Sequence, residues 1–204
     1  MLVVLGLRWI NPPGSAFIYS YNLDNNPDTT IIWTDLENIS PWLQMSVIAA
    51  EDQKFPFHWG FDFASIEKAI NEDRQRKRGA STISQQLTKN LLLWKGRSYF
   101  RKALEVWFTF LIECLWPKER ILEVYLNIIE FGPGIYGAEK AARRYFQLSA
   151  NDINPFQAGL MAAVLPNPNR MSLAQPSDYV QKRAFEIYQQ VQLLGGTDFL
   201  KTLH

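Results

Sequence analysis

The spacing of apolar residues along this chain is helical almost throughout. A dense apolar run from residue 42 to 50 is opened by Ser40-Pro41, a capping residue followed by proline at the first helical position. Pro56 pushes the residue before it out of helical geometry, which predicts an end near Lys54. Asp62 can cap a second helix over residues 63–77, with Phe63, Ile66, Ala69 and Ile70 on its apolar face and Gly79 beyond it. Thr82 and Gln85 fit a capping box for a third helix that reaches Trp94. Ile83, Leu87, Leu91 and Trp94 share one face of it, and Thr82, Gln86 and Lys89 another. Gly96 breaks this pattern, and Ser98 can cap the next helix.

Residues 99–116 are apolar nearly all round, which predicts a helix in the middle of a domain. The exceptions form a stripe at every fourth position: Arg101, Glu105, Thr109 and Glu113. Pro117 ends this helix, and residues 118–131 form another with Ile121, Tyr125, Ile128 and Ile129 facing inward. Further helical patterns cover 135–147, 154–165 and 177–194. Only residues 15–35 read as strand: two β-branched and aromatic runs flank a turn-rich DNNPD, predicting a short β hairpin near the N-terminus. The expected fold is therefore mainly α, one multi-helix domain without internal repeats.

Composition narrows what such a domain can do. The 204 residues, 47% of them hydrophobic, suffice for one well-packed core. Formal net charge is only +1, yet the cations cluster in RQRKR at 74–78 and at Lys89, Lys95, Arg97, Arg101 and Lys102. Balanced total charge with a local basic cluster points to a local anionic ligand and away from nucleic acid. A single cysteine, Cys114, rules out a disulfide framework, and two histidines rule out a His-rich metal centre. Residues 1–7 are almost wholly apolar and lead into Arg8-Trp9 and a proline break. Seven residues fall short of the roughly 20 that span a bilayer, but the pattern fits the end of a membrane helix with an interfacial anchor. The expected division is an anchor remnant over residues 1–10 and a folded domain over 11–204.

Two carboxylates carry the candidate chemistry. Glu51, beside Asp52, falls where the first long helix should stop. There the negative end of the helix dipole raises proton affinity, as a general base requires. Glu105 lies inside the apolar helix and needs a partner, for which Arg101 one turn earlier is placed. Between them stand Ser81, Thr82, Gln86, Lys89, Asn90, Arg97, Arg101 and Lys102, a segment suited to holding phosphate. This set suggests glycosyl transfer from a sugar diphosphate, or glycoside hydrolysis if the cations are only surface charge. Glu113 and Glu130 are rival acids; Glu119 and Glu123 sit on a charged face and read as structural or solvated. GPGIYG at 132–137 fits a dinucleotide-binding pattern but follows a helix, so it reads as an interhelical loop. The SxxK match at Ser65–Lys68 lacks its partner motifs and reads as helix surface. Asn38-Ile-Ser40 reads as a helix cap.

Together EDQKFPFHWGFD (51–62), GASTISQQLTKN (79–90), RKALE (101–105), KERILEVYLN (118–127) and AAVLPNPNR (162–170) resemble the motifs of the peptidoglycan glycosyltransferases, in family order over residues 40–195. Ser84 stands where that family usually has threonine, and the segment between Pro13 and Trp33 is shorter than in its relatives. The resemblance implies a lysozyme-like fold and polymerisation of lipid II into glycan strands, with inversion and release of undecaprenyl diphosphate. It implies Glu51 as general base and Glu105 as the second acid near the donor diphosphate. Ser81, Gln86, Lys89, Asn90, Arg97 and Arg101 fall on positions around the diphosphate and sugars. The partners implied are lipid II, the growing glycan chain, the bacterial inner membrane and other cell-wall synthesis proteins, with the domain on the extracytoplasmic side. No cofactor is required by the sequence. A Mg2+ ion near Glu51, Asp52 or Glu105 would need substrate phosphates to complete its ligands.

Overall fold

The computed structural model describes residues 1–25, 29–63, 81–96 and 98–203. The helix expected over 63–77, the SxxK match and Arg97 fall wholly or almost wholly outside the described residues. The described helices are α1 (Leu2–Gly6), α2 (Ala16–Asn25), α3 (Pro41–Glu51), α4 (Ile83–Leu92), α5 (Tyr99–Leu115), α6 (Lys118–Ile128), α7 (Ala138–Phe146), α8 (Pro155–Val164) and α9 (Asp178–Leu193). Two short strands, β1 (Glu130–Gly132) and β2 (Ile135–Tyr136), pair antiparallel between α6 and α7. The fold is mainly α, as expected.

The helices fall into two groups around one core. α3, α8 and α9 pack on one another; α4 packs on both α5 and α6, with α2 laid against α4. α3, α4, α6 and α8 are the enclosed helices; in α6, Ile121, Leu122, Val124, Tyr125, Leu126, Asn127 and Ile128 are all buried. This corrects the expectation that residues 99–116 form the central helix. α5 buries its polar stripe, Arg101, Glu105, Thr109 and Glu113, and exposes Phe100, Val106, Trp107 and Phe110.

The predicted hairpin at 15–35 is not formed. Residues 16–25 are helical, started by Ser15, whose hydroxyl accepts from the Ile18 N–H at 3.2 Å. Packing against α4 outweighs the strand preference of its aromatics, since β propensity mostly reports fit to a half-buried surface. Farther on, Thr34 gives its N–H to Asn127 Oδ1 (2.9 Å) and receives Asn127 Nδ2 at its carbonyl (2.9 Å). One buried amide side chain thus takes the place of a neighbouring strand. The small sheet instead uses the GPGIYG loop, where Gly134 turns at φ +71°. At Gly137 (φ +89°) any Cβ would lie 2.7 Å from the Asn127 carbonyl.

Two loops set where the site lies. Helix α3 stops at Glu51, three residues earlier than predicted, because Asp52 leaves helical geometry at φ −161°. The Thr82/Gln85 capping box forms as predicted, and the Thr82 hydroxyl also donates to the Gly60 carbonyl at 2.7 Å. Thr82→Val should therefore lose both a cap and a buried bond, lowering the unfolding free energy by about 2 kcal/mol in a urea titration.

Candidate active site

Glu51 is the last residue of α3 and Asp52 the first beyond it, so their side chains diverge. Asp52 is buried and fully engaged. Its Oδ2 accepts the N–H of Ile83, the first residue of α4, at 3.0 Å. Both its oxygens receive His58 Nε2 at 2.9 and 3.0 Å. The Gly60 N–H donates to His58 Nδ1 at 3.0 Å, so the proton given to Asp52 sits on Nε2. His58 and Gly60 thus form the turn that holds this corner together.

That corner sets Glu51 against α4. Gln86 Nε2 donates to Glu51 Oε2 at 2.6 Å, and Tyr125 on α6 donates to Gln86 Oε1 at 2.9 Å. Burial raises the Glu51 pKa above its ordinary 4.5, and Asp52 adds to the rise; the Gln86 bond, Arg183 and Lys89 partly oppose it. The direction matches the sequence reading, but burial is the larger cause. Tyr125 is buried and held well above its usual pKa by burial, then by Glu51 and Asp52, so it stays a donor.

Glu105 is in the opposite electrostatic condition. Arg101 Nη1 donates to its Oε2 at 2.9 Å and Lys102 Nζ to its Oε1. The pair predicted from the sequence forms, and Arg101 Nε is buried without an acceptor among the described residues. A buried donor in that state costs about 1–3 kcal/mol until something accepts from it. Lys89 stands between the two acids: burial lowers its pKa, Glu105 and Glu51 pull it back up, and Arg101 and Lys102 push it down. Among the described residues it makes no ion pair within 4 Å and lies over the Phe17 ring at 5.7 Å. Lys95 covers the same ring at 5.6 Å.

The other predicted residues sort plainly. Asn90 is nearly buried on α4, and Ser81 is exposed just ahead of the cap. The helix start expected to receive phosphate is already occupied: Ile83 N–H goes to Asp52 and Gln85 N–H to Thr82. Glu113 is structural, receiving Ser84 Oγ and, at 2.8–2.9 Å, Lys118 Nζ. Glu119 and Glu123 line a separate cavity of about 380 Å³ with Asp35 and Glu37. No group of three or more metal-ligating side chains occurs among the described residues. The donor set does not fit a metal held by protein alone, since Asp52 and Glu105 spend their oxygens on His58, Ile83, Arg101 and Lys102.

Sequence reasoning missed Tyr125, Phe17 and Arg183. A tyrosine on a fully inward helix face signals a buried hydroxyl in need of a partner, which could have marked Tyr125. Nothing local marks Phe17 or Arg183, which packing brings in from distant helices.

A transglycosylase family model matches residues 20–192, most of the chain and, apart from Phe17, all of this site. The chain belongs to the transglycosylase family. A Pseudomonas fluorescens relative is 52% identical, covering 100% of this chain and 88% of its own length. A Pseudomonas syringae pv. syringae relative is 51% identical, covering 100% and 89%. An Ectopseudomonas mendocina relative is 51% identical, covering 99% and 86%. All three are named biosynthetic peptidoglycan transglycosylase. Like them, this transglycosylase is an enzyme.

A raised carboxyl pKa also has a sign for stability. The folded state binds the Glu51 proton more tightly than the unfolded chain, so ionised Glu51 costs stability as pH rises above about 4.5. Glu51→Gln should therefore raise Tm at pH 7, and the gain should shrink towards zero below pH about 4. Thermal melts across that range check it.

Proposed function

We propose that this transglycosylase polymerises peptidoglycan from lipid II, with Glu51 as general base. The observation that carries the reading is the pairing of opposite carboxylates about one cation. Glu51 has raised proton affinity and one unengaged oxygen among the described residues; Glu105 is neutralised by Arg101 and Lys102; Lys89 lies in the field of both. A buried carboxyl with a free oxygen can accept a proton, whereas one held by two cations serves to place them.

In this reading the sugar 4-hydroxyl of lipid II gives its proton to Glu51 Oε1 as its oxygen bonds the anomeric carbon of the growing glycan. The bond from that carbon to the undecaprenyl diphosphate breaks, and the electron pair leaves with the diphosphate. Attack opposite the leaving group inverts the anomeric centre. In inverting hydrolases the two carboxyl groups stand roughly 6.5–9.5 Å apart to admit the nucleophile, and the acceptor hydroxyl would fill that space here. Lys89, Arg101 and Lys102 take up the charge of the leaving group. One cation about 4 Å from a phosphate oxygen contributes on the order of 4 kcal/mol at an effective dielectric near 20. The unpartnered Arg101 Nε is a ready donor to such an oxygen. Glu105 then acts by holding Arg101 and Lys102 in place, without surrendering a proton. A lytic hydrolase, the rival on this fold, would have no leaving group for this cation set to serve.

Membrane attachment belongs to the same proposal. Among the described residues no helix is long and apolar enough to cross a membrane. The outward face of α5 nevertheless exposes Phe100, Trp107 and Phe110, and α1, with exposed Leu2 and Val3, packs on that helix. A polar inner stripe under an aromatic outer one suits a helix lying against the inner membrane where the lipid tail departs. Addition of phospholipid vesicles should blue-shift tryptophan fluorescence, and Trp107→Ser should reduce the shift; a spectrum unmoved by vesicles would sink the membrane contact.

Glu51→Gln should lower lipid II polymerisation by a factor of about 10²–10⁴ with lipid II binding retained. Near-normal polymerisation by that variant would overturn the base assignment. Lys89→Ala should weaken binding of the diphosphate lipid, read by titration against the same lipid lacking the diphosphate, for which affinity should not change.

A further inference from the structure

Tyr125, Gln86 and Glu51 form a chain of two hydrogen bonds with a fixed direction. Tyr125 Oη donates to Gln86 Oε1 at 2.9 Å, and Gln86 Nε2 donates to Glu51 Oε2 at 2.6 Å. An amide can also face the other way, since its two ends differ only in donor and acceptor. Turned round, Gln86 would offer Oε1 to Glu51, an arrangement that suits only the protonated acid. Its Nε2 would then donate to Tyr125 Oη, and the Tyr125 proton would have nowhere to go. Tyr125 is fully buried and has no other hydrogen-bond partner among the described residues. A buried donor without an acceptor is costly, so the hydroxyl penalises the turned amide.

We propose that Tyr125 is a positioning residue that locks the Gln86 amide with its N–H toward Glu51, so that the base is kept ionised and only its Oε1 is free to accept a proton. This rests on the assignment of Glu51 as base and adds how its protonation state is held. The lock matters because the surroundings otherwise favour the neutral acid. Asp52 beside Glu51 on α3 raises its pKa, Lys89 on α4 and Arg183 on α9 lower it, and burial is the largest influence, in the raising direction. Helix α8, also packed on α3, carries no ionisable side chain. The C-terminal turns Gly196–Leu203 carry Asp198 and Lys201, which pair with each other at the surface. Against that balance the Gln86 bond is the one neutral contribution, and its direction is decided from α6.

The pH profile of kcat/KM for lipid II polymerisation tests this, because it reports the ionisation of the free enzyme. Activity needs ionised Glu51, so the rate falls as pH drops through its pKa. Tyr125→Phe frees the amide to turn and should move that acid limb up by about one pH unit, with about tenfold less activity on the acid side and recovery at high pH. Gln86→Met, which keeps the chain length and removes the amide, should move the limb the same way. Adding Tyr125→Phe to it should cause no further shift. An acid limb that stays put in folded Tyr125→Phe, whatever its overall rate, overturns the inference. If Tyr125→Phe does not fold by thermal melting, an unmoved limb in Gln86→Met overturns it instead. Inactive Glu51→Gln alongside an unmoved limb defeats only the amide lock, whereas active Glu51→Gln defeats the base assignment beneath it.

Discussion

The buried carboxylate of Asp52 is the contact on which the site depends. It ends α3, caps the first N–H of α4 and receives the His58 ring, so three pieces of chain meet at one side chain. A carboxylate at a helix N-terminus is favoured by the dipole there, and its bonds to Ile83 and His58 meet its need for donors in a buried setting. Because Asp52 turns inward, Glu51 one residue earlier must turn toward Gln86. The acid pair that reads as a single feature in the sequence is thus divided between a fully bonded half and one that keeps an open oxygen among the described residues.

A second buried polar cluster supports the first from below. Lys118, at the start of α6, donates to Glu113, to the His58 carbonyl at 2.6 Å and lies over the Phe55 ring at 4.7 Å. Ser84 completes the cluster from α4. Gly60 packs so closely that a Cβ would lie 2.7 Å from Thr109 and 3.0 Å from Glu113. Removing one partner of such a cluster leaves a buried charge unpaired, which is why these residues behave as a unit. The same cluster explains why α5 is turned inside out. Its polar stripe serves the site, and its aromatic residues are left for the outside.

The electrostatic design separates the two acids by environment. Burial and Asp52 favour the neutral form of Glu51, while Arg101 and Lys102 give Glu105 fixed ionic partners. Lys89 couples the two without pairing with either. Among the described residues the site thus gathers a desolvated carboxyl, a desolvated lysine and an unpartnered arginine nitrogen. Under the proposed function, an anionic leaving group relieves the last two together and directs binding energy to the departing diphosphate.

Helix periodicity, the capping residues Thr82 and Ser98, and the i, i+4 spacing of Arg101 and Glu105 were all legible in the sequence, because they depend on residues within a turn or two of one another. Both acids and the cation segment were legible for the same reason. What could not be read was anything set by distant packing. The strand-like residues 16–25 became helix because α4 offered them a surface, and the extended segment at Thr34 found a side chain in place of a strand. The hydrophobic count in α5 suggested a central helix, but the polar stripe was the side that had buried partners. The cause of the raised Glu51 pKa, its Gln86–Tyr125 chain and the arrival of Arg183 all arise from elements far apart in the chain. Sequence by itself determined which groups could do chemistry; tertiary structure decided which of them are desolvated and which are paired, because burial and charge neighbours exist only once the helices pack.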